Sequence, residues 1–250
     1  MLNDRYLFNQ LNKKYQQEFI TLNINFIIYN QKMKRAILLT AAAIFSFAII
    51  SCNSGSKNKA ETGEAREVTV TEGEQTLSID STDAIVEWEG YKPTGQHHGT
   101  INVSKGEIFM TDGALIGGNF TINMSSLKDL DLTDAETNAK LIGHLKSADF
   151  FDIEKYPTAR FEITSATRVS NTNNYEVTGN LTMKDKTASV KFPASFVATG
   201  DSVVVNTPQF IIDRSVWDVR YGSRKFFDNL KDYYISDEIG LKVTIRKKVN

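Results

Sequence analysis

The three histidines of the 250-residue chain, His97, His98 and His144, are the first residues whose type could support chemistry. Three imidazoles are enough, in number, for a zinc site. However, His97 and His98 are adjacent, so on an extended chain their side chains point to opposite faces, and neither lies at a metal-type spacing. We therefore predict no metal, and we interpret the three histidines as hydrogen-bonded or ligand-facing groups near the rim of a binding site.

The pair Asp213-Arg214, close to Trp217, is the second candidate. An arginine at a strand end can bind a carboxylate or phosphate and can stack on an aromatic ring. The alternative, which we favour, is a structural ion pair that closes the fold. Arg214 and Trp217 nevertheless remain, with the three histidines, candidates for contact with a ligand head group.

Enzyme signatures are absent from the sequence. It contains no Gly-x-Ser-x-Gly elbow, no P-loop and no dinucleotide fingerprint. We predict no catalytic residue and no cofactor. The 29 basic and 30 acidic residues leave a net charge of -1, so no global field would attract nucleic acid.

The single cysteine, Cys52, is best explained by its position. Met33-Lys34-Arg35 is basic, the uncharged run 36–50 is short for a membrane span, and Ile49-Ile50-Ser51-Cys52 resembles a bacterial lipobox. We predict that Cys52 is the site of lipid attachment in an exported lipoprotein. The alternatives are a buried cysteine that follows an apolar stretch by chance, and a free thiol.

The sequence divides into three parts. Residues 1–51 form a leader, in which 33–51 is the signal peptide and 1–32 precedes Met33 as the expected true start. Residues 52–75 are rich in Ser, Gly, Lys, Glu and Thr, and predict a flexible tether. Residues 76–250 form the folded domain. The expected location is the cell envelope, at the outer membrane or periplasmic face rather than the inner membrane.

Short runs of alternating apolar and polar residues recur from residue 77 to the end of the chain. Such runs are typical of strands with one buried face, and turn residues such as Asp112-Gly113 separate them. They predict an all-β fold, an antiparallel β-barrel of about eight or more strands. The segment 134–147 has helical spacing instead, and it predicts one short helix across a barrel mouth.

The inward positions of these strands carry large apolar side chains. Pattern alone does not separate side chains that fill a barrel from side chains that line a tunnel. The candidates for a tunnel wall are Trp88, Phe120, Phe161, Leu181, Phe192, Phe210 and Ile212.

Several blocks of sequence occur together, in an order and spacing that resemble the YceI-like family. They are Gly95-Gln96-His97-His98-Gly99, Gly117-Gly118-Asn119-Phe120, 143–152, 155–161, 177–184, and Ile212-Asp213-Arg214 with Trp217. The resemblance covers nearly all of 77–247. Two positions depart from it, since Asp218 stands where many members carry glycine, and Lys184-Asp185-Lys186 replaces a turn that usually contains glycine.

The resemblance implies a lipocalin-like barrel with a long apolar tunnel, in which some members hold a polyisoprenoid chain or a similar amphiphile. It brings no established catalytic residue. The leading hypothesis is therefore a lipid-anchored envelope protein whose partners are a long-chain lipid and the membrane. The alternatives are an accessory factor acting on an isoprenoid quinone, and a structural or stress-response module with a filled barrel. The sequence leaves a homodimer open.

Overall fold

The computed structural model describes residues 58–70 and 72–249. The predicted leader and residues 52–57 and 71 of the predicted tether, Cys52 among them, lie outside these residues. Within them, no helix is both long and apolar enough to cross a membrane.

The described residues form eleven strands, one α-helix and two short 3-10 turns. The 3-10 turns are Arg214–Trp217 and Lys231–Tyr233. In chain order, the other elements are β1 Glu61–Gly63, β2 Gln75–Asp80, β3 Ala84–Lys92, β4 Gly95–Thr111, β5 Ala114–Asp129, α1 Ala135–Lys146, β6 Thr158–Arg168, β7 Asn174–Met183, β8 Lys186–Ala198, β9 Ser202–Asn206, β10 Phe210–Asp213 and β11 Glu238–Lys248.

Eight of these strands close into a ring. The hydrogen-bonded order is β8, β7, β6, β5, β4, β3, β11 and β9, and β9 pairs again with β8. Every named strand pair is antiparallel. The prediction of an all-β antiparallel barrel is confirmed. In the closed ring each strand is paired on both sides, and free strand edges remain only where neighbouring strands differ in length.

The alternating pattern explains which face of each strand is buried, because successive side chains of a strand point to opposite sides of the sheet. On β5, Phe120, Ile122 and Met124 face the interior of the barrel. Val190 of β8 and Val203 of β9 are each only 1% exposed. The hydrophobic core therefore lies inside the ring, where the alternation predicts it.

The predicted flexible tether, 52–75, must be corrected over residues 58–63, which pair with strands of the barrel domain. β1 pairs with β8 from Ser189 to Lys191, a stretch of β8 that β9 does not reach. On its other side the same segment bonds to β10, where Ala60 N–H donates to the Ile211 carbonyl. The polar composition of this segment predicts a flexible tether, but backbone hydrogen bonds to free strand edges hold it in place. Such bonds need no apolar side chains.

The helix α1 agrees with the predicted helix. Asp134 is its N-cap, since its carboxylate accepts the Thr137 backbone N–H at 2.8 Å, as expected of an aspartate at this position. Leu141, His144 and Leu145 of α1 contribute to the wall of the interior cavity. The helix therefore lies across one mouth of the barrel.

The two departures from family glycines lie at left-handed backbone positions. Lys184 and Asp185 have φ of 49° and 58°, and Asp218 has φ of 61°. A non-glycine residue is strained in this region, although Asp tolerates it better than most. The chain therefore keeps the turn geometry in which glycine is favoured.

Candidate functional site

A cavity of about 410 Å³ lies inside the barrel. Pockets that bind small molecules commonly measure roughly 300 to 1,000 Å³. All seven side chains predicted for a tunnel wall line it: Trp88, Phe120, Phe161, Leu181, Phe192, Phe210 and Ile212. The interior is therefore incompletely filled, whereas contact of these side chains with a ligand stays a prediction.

Three aromatic rings form one side of the cavity. Phe192 and Phe210 are stacked, with ring centroids 4.3 Å apart and an interplanar angle of 3°. Phe161 leans on Phe192 at 5.6 Å. Such contacts add to the burial energy of each ring and hold its orientation. The side chains that shape the cavity are therefore fixed by one another and do not need a ligand to order them.

Most of the polar groups of the cavity wall lie at one end of the barrel. Because neighbouring strands are antiparallel, the end of β3, the start of β4 and the start of β11 meet there, and α1 and Arg214 follow the ends of β5 and β10. We call this the polar end, defined by Lys92, His97, His144, Arg214 and Glu238. The cavity therefore combines apolar walls with one polar mouth.

His144 is held by aromatic neighbours. Its ring meets Tyr221 edge-on at 4.5 Å and Phe150 at 5.5 Å, and its Nε2 lies 4.0 Å from the Asp149 carboxylate. These contacts place the imidazole between the helix and the loop that covers the same mouth. It is the only one of the three histidines carried by α1, and it remains a candidate for head-group contact.

His97 and His98 differ in their position relative to the cavity, although both rings lie near Asp131, with Nδ1 to carboxylate distances of 3.0 and 3.7 Å. His97 lines the cavity, whereas His98 does not, and its side chain is 54% exposed. His98 is therefore no longer a candidate for the rim through its side chain. Its backbone N–H instead donates to Asp131 at 2.8 Å.

The partner of His97 is Asp131, which is not among the predicted site residues. His97 Nδ1 lies 3.0 Å from Asp131 Oδ2. Burial raises the pKa of Asp131, but hydrogen bonds from the His98 backbone N–H and the His97 ring outweigh it, and the pKa falls to about 2. Asp129 lies beside this pair. The available signal was the acidic run Asp129-Leu130-Asp131, directly after a predicted strand.

Arg214 is a structural group as well as part of the cavity wall. Its side chain is 1% exposed and forms an ion pair with Asp237 at 3.5 Å. Burial lowers the pKa of its guanidinium, while Asp237 and Asp213 oppose that effect. Its N–H groups donate to the carbonyls of Val219, Tyr221, Ile235 and Ser236. Arg214 is therefore a structural residue, in line with the favoured interpretation, and its ion-pair partner is Asp237 rather than Asp213.

Trp217 lies outside the cavity wall. It is completely buried, and its indole N–H donates to the Leu181 carbonyl at 2.8 Å. The prediction of a head-group contact for Trp217 is therefore not supported by its position. Through this hydrogen bond the ring anchors the 3-10 turn that carries Arg214 to β7.

Two solved structures have a similar fold. Burkholderia cenocepacia BcnA aligns with a TM-score of 0.52 at 22% identity, over 68% of this chain and 99% of that protein. A polyisoprenoid binding domain from Saccharophagus degradans, implicated in plant cell wall breakdown, aligns with a TM-score of 0.51 at 11% identity, over 70% of this chain and 98% of that domain. At these identities the likeness concerns the fold alone.

Sequence relatives give a second, independent comparison. A UPF0312 protein of Pectobacterium atrosepticum is 36% identical over 83 residues, which is 33% of this chain and 38% of the relative. A UPF0312 protein of Pseudomonas putida is 37% identical over 90 residues, 33% of this chain and 46% of the relative. The matched region thus spans less than half of the length of these relatives.

A family model covers most of the folded domain. The YceI-like domain matches residues 74–246, which includes the seven strands β2 to β8, the helix α1, the strands β9 and β10 and all of β11 except its last two residues. The barrel closure and the sequence blocks quoted above lie within that range. The chain therefore belongs to the YceI-like domain family.

Proposed function

We propose that the chain is a binding protein that holds one long-chain, isoprenoid-like lipid inside its barrel and carries out no catalytic step on it. The observation that supports this function most directly is the apolar cavity of about 410 Å³ with a single polar end. The polyisoprenoid binding named for the Saccharophagus degradans domain, which shares the fold, supports the same class of ligand.

The energetics favour an apolar tail. Moving apolar surface out of water contributes about 25 cal/mol per Å², or about 0.8 kcal/mol per buried CH₂ group. The tail would lie against the stack formed by Phe192 and Phe210, and the head group would lie at the polar end, near His97 and His144. In this arrangement the length of the tail determines affinity more than the identity of the head group.

The alternative of chemistry on an isoprenoid quinone is less well supported. It needs groups from among His97, His98, His144 or Arg214 to converge beside one head group. The His98 side chain does not line the cavity, and the guanidinium of Arg214 donates to four backbone carbonyls. Two of these four candidate groups are therefore engaged elsewhere.

Lipid carriage can be tested by narrowing the cavity. Leu181→Trp adds a ring to the cavity wall, so it is expected to reduce uptake of long-chain isoprenoid alcohols at least tenfold while costing less than about 1 kcal/mol of stability. In a packed core the same change would cost about 1 to 3 kcal/mol. The matched control is Val197→Trp, which adds the same ring at a position that is 36% exposed. Native mass spectrometry of the full chain measures uptake, and urea denaturation measures stability.

The alcohols in that experiment should form a series of increasing length. Wild-type affinity is expected to rise about fourfold per added CH₂, the equivalent of about 0.8 kcal/mol, until the cavity is full. An affinity that does not depend on length, or a wild-type protein that never takes up a long-chain lipid, would refute the proposed function.

We further propose that the protein is held at the cell envelope through a lipid on Cys52, at the outer membrane or periplasmic face. Cys52→Ser is expected to abolish fatty-acid labelling and to release the chain from membranes. Asn53, rather than aspartate, follows the cysteine and favours the outer membrane. Radiolabelled palmitate and density-gradient fractionation measure the two effects. A labelled, membrane-bound Cys52→Ser chain would show that the anchor lies elsewhere.

A further inference from the structure

Asp129, the last residue of β5, has a buried carboxylate that is only half satisfied. The residue is 7% exposed. Its Oδ1 accepts the Leu132 backbone N–H at 2.9 Å and the Asn138 side-chain amide at 3.1 Å. Its Oδ2 is buried and has no hydrogen-bond partner. A buried anionic oxygen without a partner is strongly disfavoured, so this position calls for a positive group or a proton.

The unpartnered oxygen belongs to a cluster of three possible metal ligands. His97, Asp129 and Asp131 each offer one ligand atom, and these atoms lie within 4.8 Å of one another. His97 Nδ1 and Asp131 Oδ2 are 3.0 Å apart. Two ligands bound to one tetrahedral ion at about 2.0 to 2.2 Å lie roughly 3.3 to 3.6 Å from each other. His97 and Asp131 are a few tenths of an ångström closer than that, so this pair would open slightly as the ion replaces the hydrogen bond between them.

The carboxylates of the cluster are oriented by groups that do not belong to it. Asn138 of α1 and the backbone of Leu132 hold Asp129. The backbone N–H of His98 holds the other oxygen of Asp131 at 2.8 Å. Outer hydrogen bonds of this kind fix the direction in which a metal ligand points. Each aspartate therefore has one oxygen held by outside groups and one oxygen that faces the cluster as a possible metal ligand.

Among the described residues, only histidines form ion pairs with either of the two aspartates. The ion pairs found for Asp131 join it to His97 and His98, and within 58–70 and 72–249 no lysine or arginine forms an ion pair with Asp129 or Asp131. Two carboxylates and one neutral imidazole carry a net charge of -2. A divalent cation would balance that charge. An arginine or lysine paired with the two aspartates would also balance it, but these aspartates would then be unable to bind a metal ion.

From this geometry we infer that His97, Asp129 and Asp131 bind one divalent transition-metal ion, of the Zn²⁺ type, at the polar end of the cavity. One imidazole and two carboxylates suit Zn²⁺, Mn²⁺ or Fe²⁺, while an all-oxygen set would suit Mg²⁺ or Ca²⁺. Three protein ligands leave a further position open. The site does not depend on what the apolar part of the cavity binds.

The three histidines as a set predict no metal, and His97, His98 and His144 do not form a common set of ligands in the structure. The partners of His97 are instead two aspartates at the end of β5 and just after it, more than 30 residues further along the chain. Antiparallel pairing of β4 with β5 brings them together, since Gly99 lies opposite Asp129.

A shared proton is the other way to satisfy the cluster, because two carboxylates in close contact do not both ionise readily. Titration with Zn²⁺ distinguishes the two. Calorimetry on the metal-stripped full chain, carrying Cys52→Ser so that no thiol competes, is expected to show one Zn²⁺ per chain with a Kd in the micromolar range or below. Mg²⁺ at millimolar concentration is expected not to compete.

The decisive variant is Asp129→Asn. It should weaken Zn²⁺ binding by about 100-fold and remove the rise in melting temperature that Zn²⁺ gives the parent chain. In the absence of metal, it should melt at or above the parent, because its amide can donate to Asp131. The control Asp185→Asn removes the same charge from an exposed turn and should bind Zn²⁺ as the parent does.

If Asp129→Asn does not fold, His97→Gln provides the same test, because the His97 side chain is 24% exposed and tolerates a change better. Parent protein that shows no stoichiometric Zn²⁺ binding would overturn the inference and leave the shared proton. Equal Zn²⁺ affinity in Asp129→Asn and the parent, or effective competition by Mg²⁺, would also overturn it. None of these results bears on lipid uptake, which is measured without added metal.

Discussion

Arg214→Ala is expected to destabilise the folded protein by about 3 to 5 kcal/mol, the cost of removing one partner from a buried, hydrogen-bonded ion pair. The guanidinium is 1% exposed and donates to Val219 at 2.7 Å and to Tyr221 at 2.8 Å. Without it, these buried carbonyls lose their donors, and each unsatisfied group costs about 1 to 3 kcal/mol. Asp237 would also lose its charged partner.

The loss of stability in Arg214→Ala should be greatest in the segment 218–237. Arg214 bonds to both ends of it, through Val219 near its start and Ser236 near its end. Hydrogen exchange is therefore expected to increase there first, while β6 and β7 remain protected. Urea denaturation gives the free energy of unfolding, and hydrogen exchange gives the location of the change.

Two controls separate this role from simple loss of charge. Arg214→Lys keeps the charge but has one nitrogen in place of the planar fork, so it should recover only part of the stability. Arg246→Ala removes an exposed arginine of β11 and should stay within about 0.5 kcal/mol of the parent. A loss of less than about 1 kcal/mol in Arg214→Ala would show that the segment is held by other contacts.

Gly99→Ala is expected to have the second largest effect, a loss of about 3 kcal/mol, at the upper end of the cost of overpacking. A Cβ atom at Gly99 would overlap the Lys128 carbonyl oxygen and would lie 2.9 Å from Cε2 of Trp88. The Trp88 indole N–H donates to that same oxygen at 3.1 Å. The methyl group therefore meets backbone and an already hydrogen-bonded ring, neither of which can yield easily.

The consequence should reach the polar end of the cavity. Gly99 pairs with Trp88 on one side and with Asp129 on the other. Separating β4 from β5 there would move His97 relative to Asp129, so Zn²⁺ binding and stability should fall together. Thermal and urea unfolding, with the Trp88 fluorescence as a local signal, measure the effect.

Gly143→Ala is the matched control, with the opposite expected sign. Gly143 lies inside α1, and a Cβ atom there meets nothing within 4 Å. Alanine is favoured over glycine inside a helix, so the variant should gain about 0.5 to 1 kcal/mol. If Gly99→Ala were as stable as the parent, the close contact between β4 and β5 would have to relax freely, contrary to its position in the ring.

The sequence predicts the cavity wall well because the wall depends on local alternation. Phe161 and Leu181 were assigned inward from their own strands alone, and both line the cavity. The helix at the barrel mouth could be predicted for the same reason, since its N-cap Asp134 and its spacing are local features. Whether the interior of the barrel is filled depends on how all eight strands close into a ring, and the sequence of a single strand does not determine this.

The polar groups were predicted less well because their partners are distant in sequence. His97 and His98 are adjacent in the sequence, whereas in the fold only His97 lines the cavity, and Asp131 lies 3.0 Å from the ring of His97 and 3.7 Å from that of His98. The expected ion-pair partner of Arg214 was its neighbour Asp213, whereas the observed partner is Asp237. Adjacent residues of a strand face opposite ways, so proximity along the chain is a poor guide to contact.

The sequence by itself determined the family, the antiparallel barrel and the apolar character of its interior, because all three follow from patterns that a strand or a motif carries alone. The tertiary structure decided which polar groups meet and where the barrel is sealed. The buried carboxylate of Asp129 beside His97 exists only because β4 and β5 pair in one register. The segment around β1 likewise finds its place only where β8 extends beyond β9, since free strand edges arise when the ring closes.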